Sequence, residues 1–209
     1  AGAAIASAAY ASGYAPELDI AGIVATGVPY FSPKAIIALQ ESRPTDRVDP
    51  MLGYNMLALT MVQRIDPDFQ IEDYVSDEVL PIARSVYDTC HKDVKARVVA
   101  EKLTHDRTFK KSPSDNLIKA FSRMGFPNLN LPAPTFIGTG LLDRDTPARM
   151  QAAFVRDTCN AGTAVQWQKY PNLDHKAVVP GSTQDTLPFV RAAFAGQEIA
   201  GNCPEPAPE

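Results

Sequence analysis

The order of apolar and polar stretches along the chain predicts three strands of one sheet. Residues 20–27 form a continuous apolar run, and residues 134–142 form another that ends in a polar turn marked by glycine and proline. Residues 164–170 form a third strand-like segment. Continuous apolar runs of this length are typical of parallel strands buried on both faces of a sheet. The pattern therefore predicts an α/β fold.

The first residues of the chain predict a helix that packs close to this sheet. Residues 1–10 are almost all small. We expect the helix to run to about Tyr14 and to stop before Pro16, because the residue before a proline disfavours helical backbone. A helix of small residues placed before a buried strand fits the helix that follows the nucleophile in an α/β-hydrolase.

The stretch from 30 to 131 is too long for a simple crossover between strands and predicts an inserted helical cap. Its apolar residues fall mostly at helical spacing before Asp66 and Pro67, and include Met51, Leu52, Met56, Leu59, Met61, Val62 and Ile65. The segment Val75-Ser76-Asp77-Glu78 resembles a capping box that starts another helix. The methionines either line a pocket for an acyl chain or fill gaps between helices, because methionine adapts to both.

Composition excludes several classes of function. With 45% hydrophobic and 21% charged residues, the chain can bury a core of its own. The formal net charge is −4 and the basic residues are scattered, so we expect no nucleic acid as a partner. No apolar run is long enough to span a bilayer, so we expect no stable membrane insertion. No Cys/His spacing resembles a zinc site, and we expect neither a metal nor a cofactor.

An acid and a histidine follow two neighbouring predicted strands. Asp143 lies in the turn after the second strand, and His175 lies in the loop after the third. Nucleophile, acid and histidine occur in this order in α/β-hydrolases, yet the chain contains no Gly-x-Ser-x-Gly motif. Ser7 and Ser12 have no flanking glycines and are interpreted as ordinary helix serines. We therefore expect the nucleophile upstream of Ala1.

Several short motifs occur together in a characteristic order. After the small-residue helix come Tyr14-Ala15-Pro16-Glu17-Leu18-Asp19-Ile20-Ala21-Gly22, Gly27-Val28-Pro29, a Gly-x-x-Asp-x-x-x-Pro motif around Asp143, Asp174-His175, and Phe194-Ala195-Gly196 with a later Cys203. Together they resemble the secretory lipase family, the Candida antarctica lipase A type of α/β-hydrolase. The resemblance implies the C-terminal half of such a protein. It also implies that a preceding segment or a companion chain carries the oxyanion loop and the catalytic serine.

Three acids compete as partner of the histidine. The motif of the family assigns the position to Asp143, since Gly140 lies three residues before it and Pro147 four after it. Asp145 is the alternative, although a turn residue or helix N-cap is the expected role there. Asp174 is adjacent to His175 and is expected to point away from it. The other two histidines, His91 and His105, lie in charged helices and are expected to be solvated.

The cysteines indicate an oxidising compartment. The resemblance implies a disulfide between Cys159 and Cys203. Cys90 is then odd, and it either pairs with a cysteine in a preceding segment or is a buried thiol. We expect a secreted or periplasmic protein.

These expectations combine into one prediction of organisation and function. Residues 1–29 and 132–203 form the hydrolase core, 30–131 the cap or lid, and 204–209 an extended Pro/Glu tail. The expected function is that of a serine carboxylic-ester hydrolase, a lipase or esterase acting on ester or lipid substrates, with His175 as base and Asp143 as acid. The alternatives are another acyl-transfer hydrolase, such as an acyltransferase or peptidase, and a non-catalytic binding domain.

Overall fold

The computed structural model describes residues 1–32 and 45–203, and these form two compact units. One consists of Ala1–Tyr30 with Phe126–Glu209 and is called the sheet unit below. The other, Phe31–Gly125, is called the helical unit. The predicted tail at 204–209 lies outside the described residues.

The sheet unit contains a parallel sheet of the predicted kind. Its strands are β1 (Ile23–Thr26), β2 (Thr135–Gly140) and β3 (Val165–Tyr170), in the order β1-β2-β3. Every residue of β2 is buried because the strand lies between two neighbours and beneath helices. Within the described residues, β3 pairs only with β2. Its residues Gln168 and Lys169 are exposed. This difference explains why β2 is a continuous apolar run and β3 is not. In β1 the burial alternates, and Val24 is exposed.

The helices of residues 1–32 and 45–203 have the following bounds. In chain order they are α1 (Gly2–Tyr14), α2 (Leu52–Ile65), α3 (Leu80–Arg84), α4 (His91–Ala100), α5 (His105–Thr108), α6 (Ser114–Ser122), α7 (Ala148–Asn160), α8 (Val178–Gly181) and α9 (Thr183–Phe194). Short 3₁₀ turns occur at Ile71–Asp73 and Ser85–Tyr87. Within the described residues, no helix combines the length and apolar character needed to cross a membrane.

The core of the sheet unit lies between α1, α7 and the strands. Ile5 and Ala8 of α1 pack with Ile23 of β1, Ile137 of β2 and Phe154 of α7. Alanine at the contact face lets the helix approach the strand closely. The small residues of the first segment therefore serve the packing that the sequence predicted.

After the helical unit, the chain returns to the sheet unit earlier than the sequence predicted. Phe126, Leu129 and Leu131 pack into the core of the sheet unit, so this unit resumes at residue 126 and not at 132. The ring of Phe126 meets that of Phe154 edge-on, with centroids 5.6 Å apart. Sequence composition could not show this change, because residues 126–131 touch residues far along the chain.

The helical unit has its own apolar core, in which Met56 is fully buried and Met61 is packed at the margin. These contacts are those of gap-filling residues. The predicted capping box does not form. The hydroxyl of Ser76 instead donates to the carbonyl of Arg107, 2.8 Å away, and Glu78 forms an ion pair with Arg107. The helix that follows is only the short α3.

A disulfide joins Cys159 of α7 to Cys203, as the resemblance implied. It closes a separation of 44 residues, which in the chain-entropy account stabilises the folded state by about 4 kcal/mol. Cys90 is free and exposed, so its interpretation as a buried thiol is wrong.

Candidate active site

Asp143 and His175 meet at the carboxyl edge of the sheet. β2 ends at Gly140, a few residues before Asp143, and β3 ends at Tyr170, before the loop that carries His175. Because neighbouring parallel strands end at the same edge, the two loops lie side by side. Nδ1 of His175 is 2.8 Å from Oδ2 of Asp143. The structure thus brings together the two predicted site residues.

Hydrogen bonds surround the carboxylate of Asp143, whose side chain is 0% exposed. Oδ1 accepts from the backbone N–H groups of Asp145 at 2.9 Å and Thr146 at 2.8 Å. Oδ2 accepts from the Thr146 hydroxyl at 2.8 Å and from Nε2 of Gln151 at 3.1 Å, besides His175. Burial alone would raise the pKa of Asp143, but the hydrogen bonds from His175 and Thr146 outweigh burial and hold it below the ordinary value. Asp143 is therefore an anion near neutral pH.

The imidazole of His175 has one engaged and one available nitrogen. All polar contacts that the described chain makes with this ring go to Nδ1, from Asp143 and from Thr146 Oγ1 at 3.2 Å. The hydrogen bond to Asp143 raises the pKa of His175, and partial burial opposes that rise. Since the carboxylate accepts at Nδ1, the neutral ring carries its proton there and keeps a lone pair on Nε2. With 34% of the side chain exposed, the ring remains accessible to a reacting group.

The two competing acids have other roles. Asp145 donates its backbone N–H to Asp143, and its own carboxylate raises the pKa of His175 only through space. It is not the N-cap of α7, because that position is occupied by Pro147. Asp174 accepts from the N–H groups of Lys176 and Ala177, and these bonds lower its pKa. The structure thus pairs His175 with Asp143.

Two strand-end glycines provide space for this arrangement. Gly27 follows β1 with φ +65, and a β-carbon there would lie 2.8 Å from Nδ1 of His175 and 3.3 Å from Oδ2 of Asp143. A β-carbon on Gly140 would lie 2.5 Å from the carbonyl oxygen of Leu173, in the loop that carries the histidine. Larger residues at either position would displace the loop or the ring.

Sequence reasoning missed the polar residues that support Asp143. Thr146, Gln151 and Thr139 are all buried, although they lie on different elements. Thr139 is a polar residue within an apolar strand, and Gln151 is a fully buried amide in α7. A polar residue at a position expected to be buried was the signal in the sequence that could have indicated a hydrogen-bonding role. Their partners could not be identified because the contacts depend on how α7 packs on β2.

The remaining candidates lie elsewhere. The ring of His91 packs against that of Tyr54 at a tilt of 31°, with centroids 3.8 Å apart, and the centroids of His105 and Phe109 are 4.9 Å apart. Both histidines were expected to be solvated, and in the structure both are half-buried. Ser7 and Ser12 are exposed on α1. Within the described residues, no group of three or more His, Cys, Asp or Glu side chains is placed to hold a metal ion.

The N-terminus of α1 lies near the histidine. Ala1 is close enough to His175 for a positive charge at that position to lower the pKa of the imidazole. Ala1 is the N-cap residue of α1. The exposed backbone N–H groups of that helix end are therefore in the neighbourhood of the imidazole.

Comparison with solved structures identifies the fold. Candida antarctica lipase A in its closed state matches 99% of the chain with a TM-score of 0.70 and 20% identity. The rice cell wall degrading esterase LipA from Xanthomonas oryzae matches 94% with a TM-score of 0.67 and 11% identity. No family model and no curated protein matches the sequence. At these identities the likeness shows the fold alone, which is an α/β-hydrolase fold.

The chain corresponds to only about half of each of these structures. The chain spans 49% of the Candida antarctica structure and 56% of the Xanthomonas oryzae structure. The predicted fold class, a partial α/β-hydrolase sheet with an inserted helical segment, is confirmed.

Proposed function

We propose that this protein is a serine carboxylic-ester hydrolase, in which this chain supplies the base His175 and the acid Asp143. The observation that carries the proposal is the 2.8 Å hydrogen bond between Nδ1 of His175 and Oδ2 of a fully buried Asp143, at the carboxyl edge of an α/β-hydrolase sheet. Binding residues without a catalytic role have no need of this combination of a buried anion and an imidazole with a free Nε2.

The chemistry follows from that geometry. Nε2 of His175 takes the proton of a serine hydroxyl as the serine oxygen bonds to the ester carbonyl carbon. Asp143 stabilises the imidazolium that forms and holds its tautomer. The tetrahedral intermediate then expels the alcohol, which receives the proton from His175, and an acyl-enzyme remains. Water, deprotonated by the same imidazole, attacks the acyl group and releases the carboxylic acid and the serine.

The serine is proposed to come from a segment that precedes α1, in the same polypeptide or in a companion chain. Three observations support this assignment. The N-terminus of α1 lies near His175, and no serine of the described residues bonds to that ring. In the described residues β1 pairs only with β2, so its other edge can accept a further strand. A serine placed just before α1 would also have helix N–H groups beside it, as an oxyanion hole requires.

The helical unit is proposed to be the lid that provides the acyl-binding region. Its support is its position as an insertion between β1 and β2, its separate apolar core, and the likeness of the whole chain to lipase and esterase structures. The disulfide supports a secreted or periplasmic location, because such bonds persist in oxidising compartments. The acyl acceptor is proposed to be water. An acyltransferase or a peptidase would use the same pair.

The test compares three preparations on p-nitrophenyl esters: this chain alone, the complete protein with its preceding segment, and the complete protein carrying His175→Ala. We expect hydrolysis by the complete protein only, with a turnover number lowered by several orders of magnitude in the variant. Gln168→Ala is the control and should retain activity, since Gln168 is exposed on β3 and lies outside both the candidate site and the helical unit. A fluorophosphonate probe should label a serine of the preceding segment. Near-normal activity of His175→Ala would refute the proposal.

A further inference from the structure

A chain of hydrogen bonds runs from β3 through β2 and α7 to the acid of the site. Nε1 of Trp167 donates to Oγ1 of Thr139 at 3.0 Å, and that hydroxyl donates to Oε1 of Gln151 at 2.9 Å. Nε2 of Gln151 then donates to Oδ2 of Asp143 at 3.1 Å and to the backbone carbonyl of Thr146 at 2.7 Å. Thr139 and Gln151 are fully buried.

The direction of this chain is determined by its last members. The carboxylate of Asp143 and the carbonyl of Thr146 can only accept, so the amide of Gln151 presents its NH₂ group to them and its oxygen to Thr139. The hydroxyl of Thr139 then donates to that oxygen and accepts from the indole N–H of Trp167. With the amide reversed, its oxygen would face the carboxylate and two hydrogen bonds would be lost.

We propose that Gln151 is a positioning residue of the site. Its oriented amide holds Asp143 as an anion with Oδ2 directed at Nδ1 of His175, and the hydroxyl of Thr139, which accepts from Trp167, holds the amide in place by donating to its oxygen. The inference rests on the proposed function, because its consequence is the alignment of His175 as base. Gln151 is fully buried and is not expected to touch substrate.

Two substitutions separate this role from simple packing of α7 on the sheet. Gln151→Met keeps approximate shape and cannot donate at any pH. Gln151→Glu can donate to Asp143 only while its own carboxyl is protonated, and the neighbouring carboxylate favours that protonated form. The other titratable groups around the pair are His175, Asp145 and Asp174, and all are unchanged in both variants.

The experiment measures kcat and KM for a p-nitrophenyl ester across pH with the complete protein. For Gln151→Met we expect kcat to fall about 10- to 100-fold at every pH with KM unchanged, as for the loss of a hydrogen bond to a charged group. For Gln151→Glu we expect activity only between the acidic limb set by His175 and a new descending limb at higher pH that the parent lacks. Gln168→Glu, on an exposed position of β3, is the control and should change neither kcat nor the profile.

The outcomes are distinguishable from failure of the proposed function. If His175→Ala is inactive while both Gln151 variants keep the parental kcat and profile, the positioning role is refuted and the proposed function stands. Equal losses in both variants with no new limb would show that Gln151 only packs, and would also refute it. Should either variant fail to fold, Thr139→Val decides. We expect that variant to lower kcat about 3- to 10-fold without changing KM, and an unchanged kcat overturns the proposal.

Discussion

Gly27 and His175 are in such close contact that a β-carbon on residue 27 would lie 2.8 Å from both Nδ1 and Cε1 of the imidazole. The glycine follows the first strand and the histidine follows the third, so the contact joins segments far apart in sequence. Its φ of +65 is in the left-handed region that side-chain-bearing residues seldom adopt. The imidazole of His175 therefore packs directly against the backbone of Gly27, where no side chain could fit.

Gly27→Ala should abolish most esterase activity of the complete protein while the fold persists. The new methyl group would force the imidazole away from Asp143, and we expect at least a 10-fold loss in kcat. Gly196→Ala is the matched control, because Gly196 has φ +64 and no atom within 4 Å of an added β-carbon. It should show the backbone cost, about 1 kcal/mol by denaturant unfolding, without the loss of activity. Equal kinetic effects of the two variants would contradict the assigned contact.

Asp143→Asn should lower the rate and move the acidic limb of the pH profile. The hydrogen bond with Asp143 raises the pKa of His175, because the carboxylate stabilises the imidazolium. Removing that charge favours the neutral ring, so the pKa of His175 and the acidic limb of kcat/KM should shift to lower pH. The rate should fall by about 10⁴, as expected when the wrong tautomer is favoured.

Asp145→Asn provides the control for that measurement. Its carboxylate raises the pKa of His175 only through space, so the limb should move in the same direction by less, with kcat nearly retained. A larger rate loss in Asp145→Asn than in Asp143→Asn would transfer the role of the acid to Asp145.

Cys159→Ser should destabilise the sheet unit, by up to about 4 kcal/mol if the chain-entropy account holds. The disulfide ties α7 to the segment after α9, across 44 residues of sequence. Adding reductant to the parent should reproduce the loss in denaturant unfolding, and non-reducing peptide mapping should recover the linked peptides. Cys90→Ser should leave stability unchanged, because Cys90 is exposed and free. Recovery of Cys159 and Cys203 as free thiols from native material would contradict this pairing.

Phe154→Ala should cost about 3–5 kcal/mol of unfolding free energy. Phe154 is fully buried, and Tyr30 and Phe126, where the chain leaves and re-enters the sheet unit, both pack edge-on against it at 5.6 Å. Thermal unfolding should show the loss directly. Phe194→Ala removes the same ring from a position that is 82% exposed, and it should change stability by less than about 0.5 kcal/mol. Similar effects at both positions would contradict the anchoring role.

The sequence by itself determined the strands, the first helix and the order of the chemical groups. β2 was recognisable because a strand covered on both faces must be apolar throughout, and that requirement is local. β1 has the same apolar sequence, although Val24 is exposed in the described residues. Asp143 and His175 could be placed at one edge because parallel neighbours end together. The motif spacing around Gly140 and Pro147 selected Asp143 over Asp145, and the structure pairs His175 with the same residue.

Only the tertiary structure decided which groups surround that pair. Thr139, Gln151 and Gly27 come from β2, α7 and the end of β1, and their contacts with the site follow from packing between elements. The capping box that the sequence predicted is absent, and Ser76 and Glu78 instead contact Arg107, which lies on a distant segment. A pattern along the chain reports burial and backbone preference. Hydrogen-bond partners are selected by distances in space, and those exist only once the elements have packed.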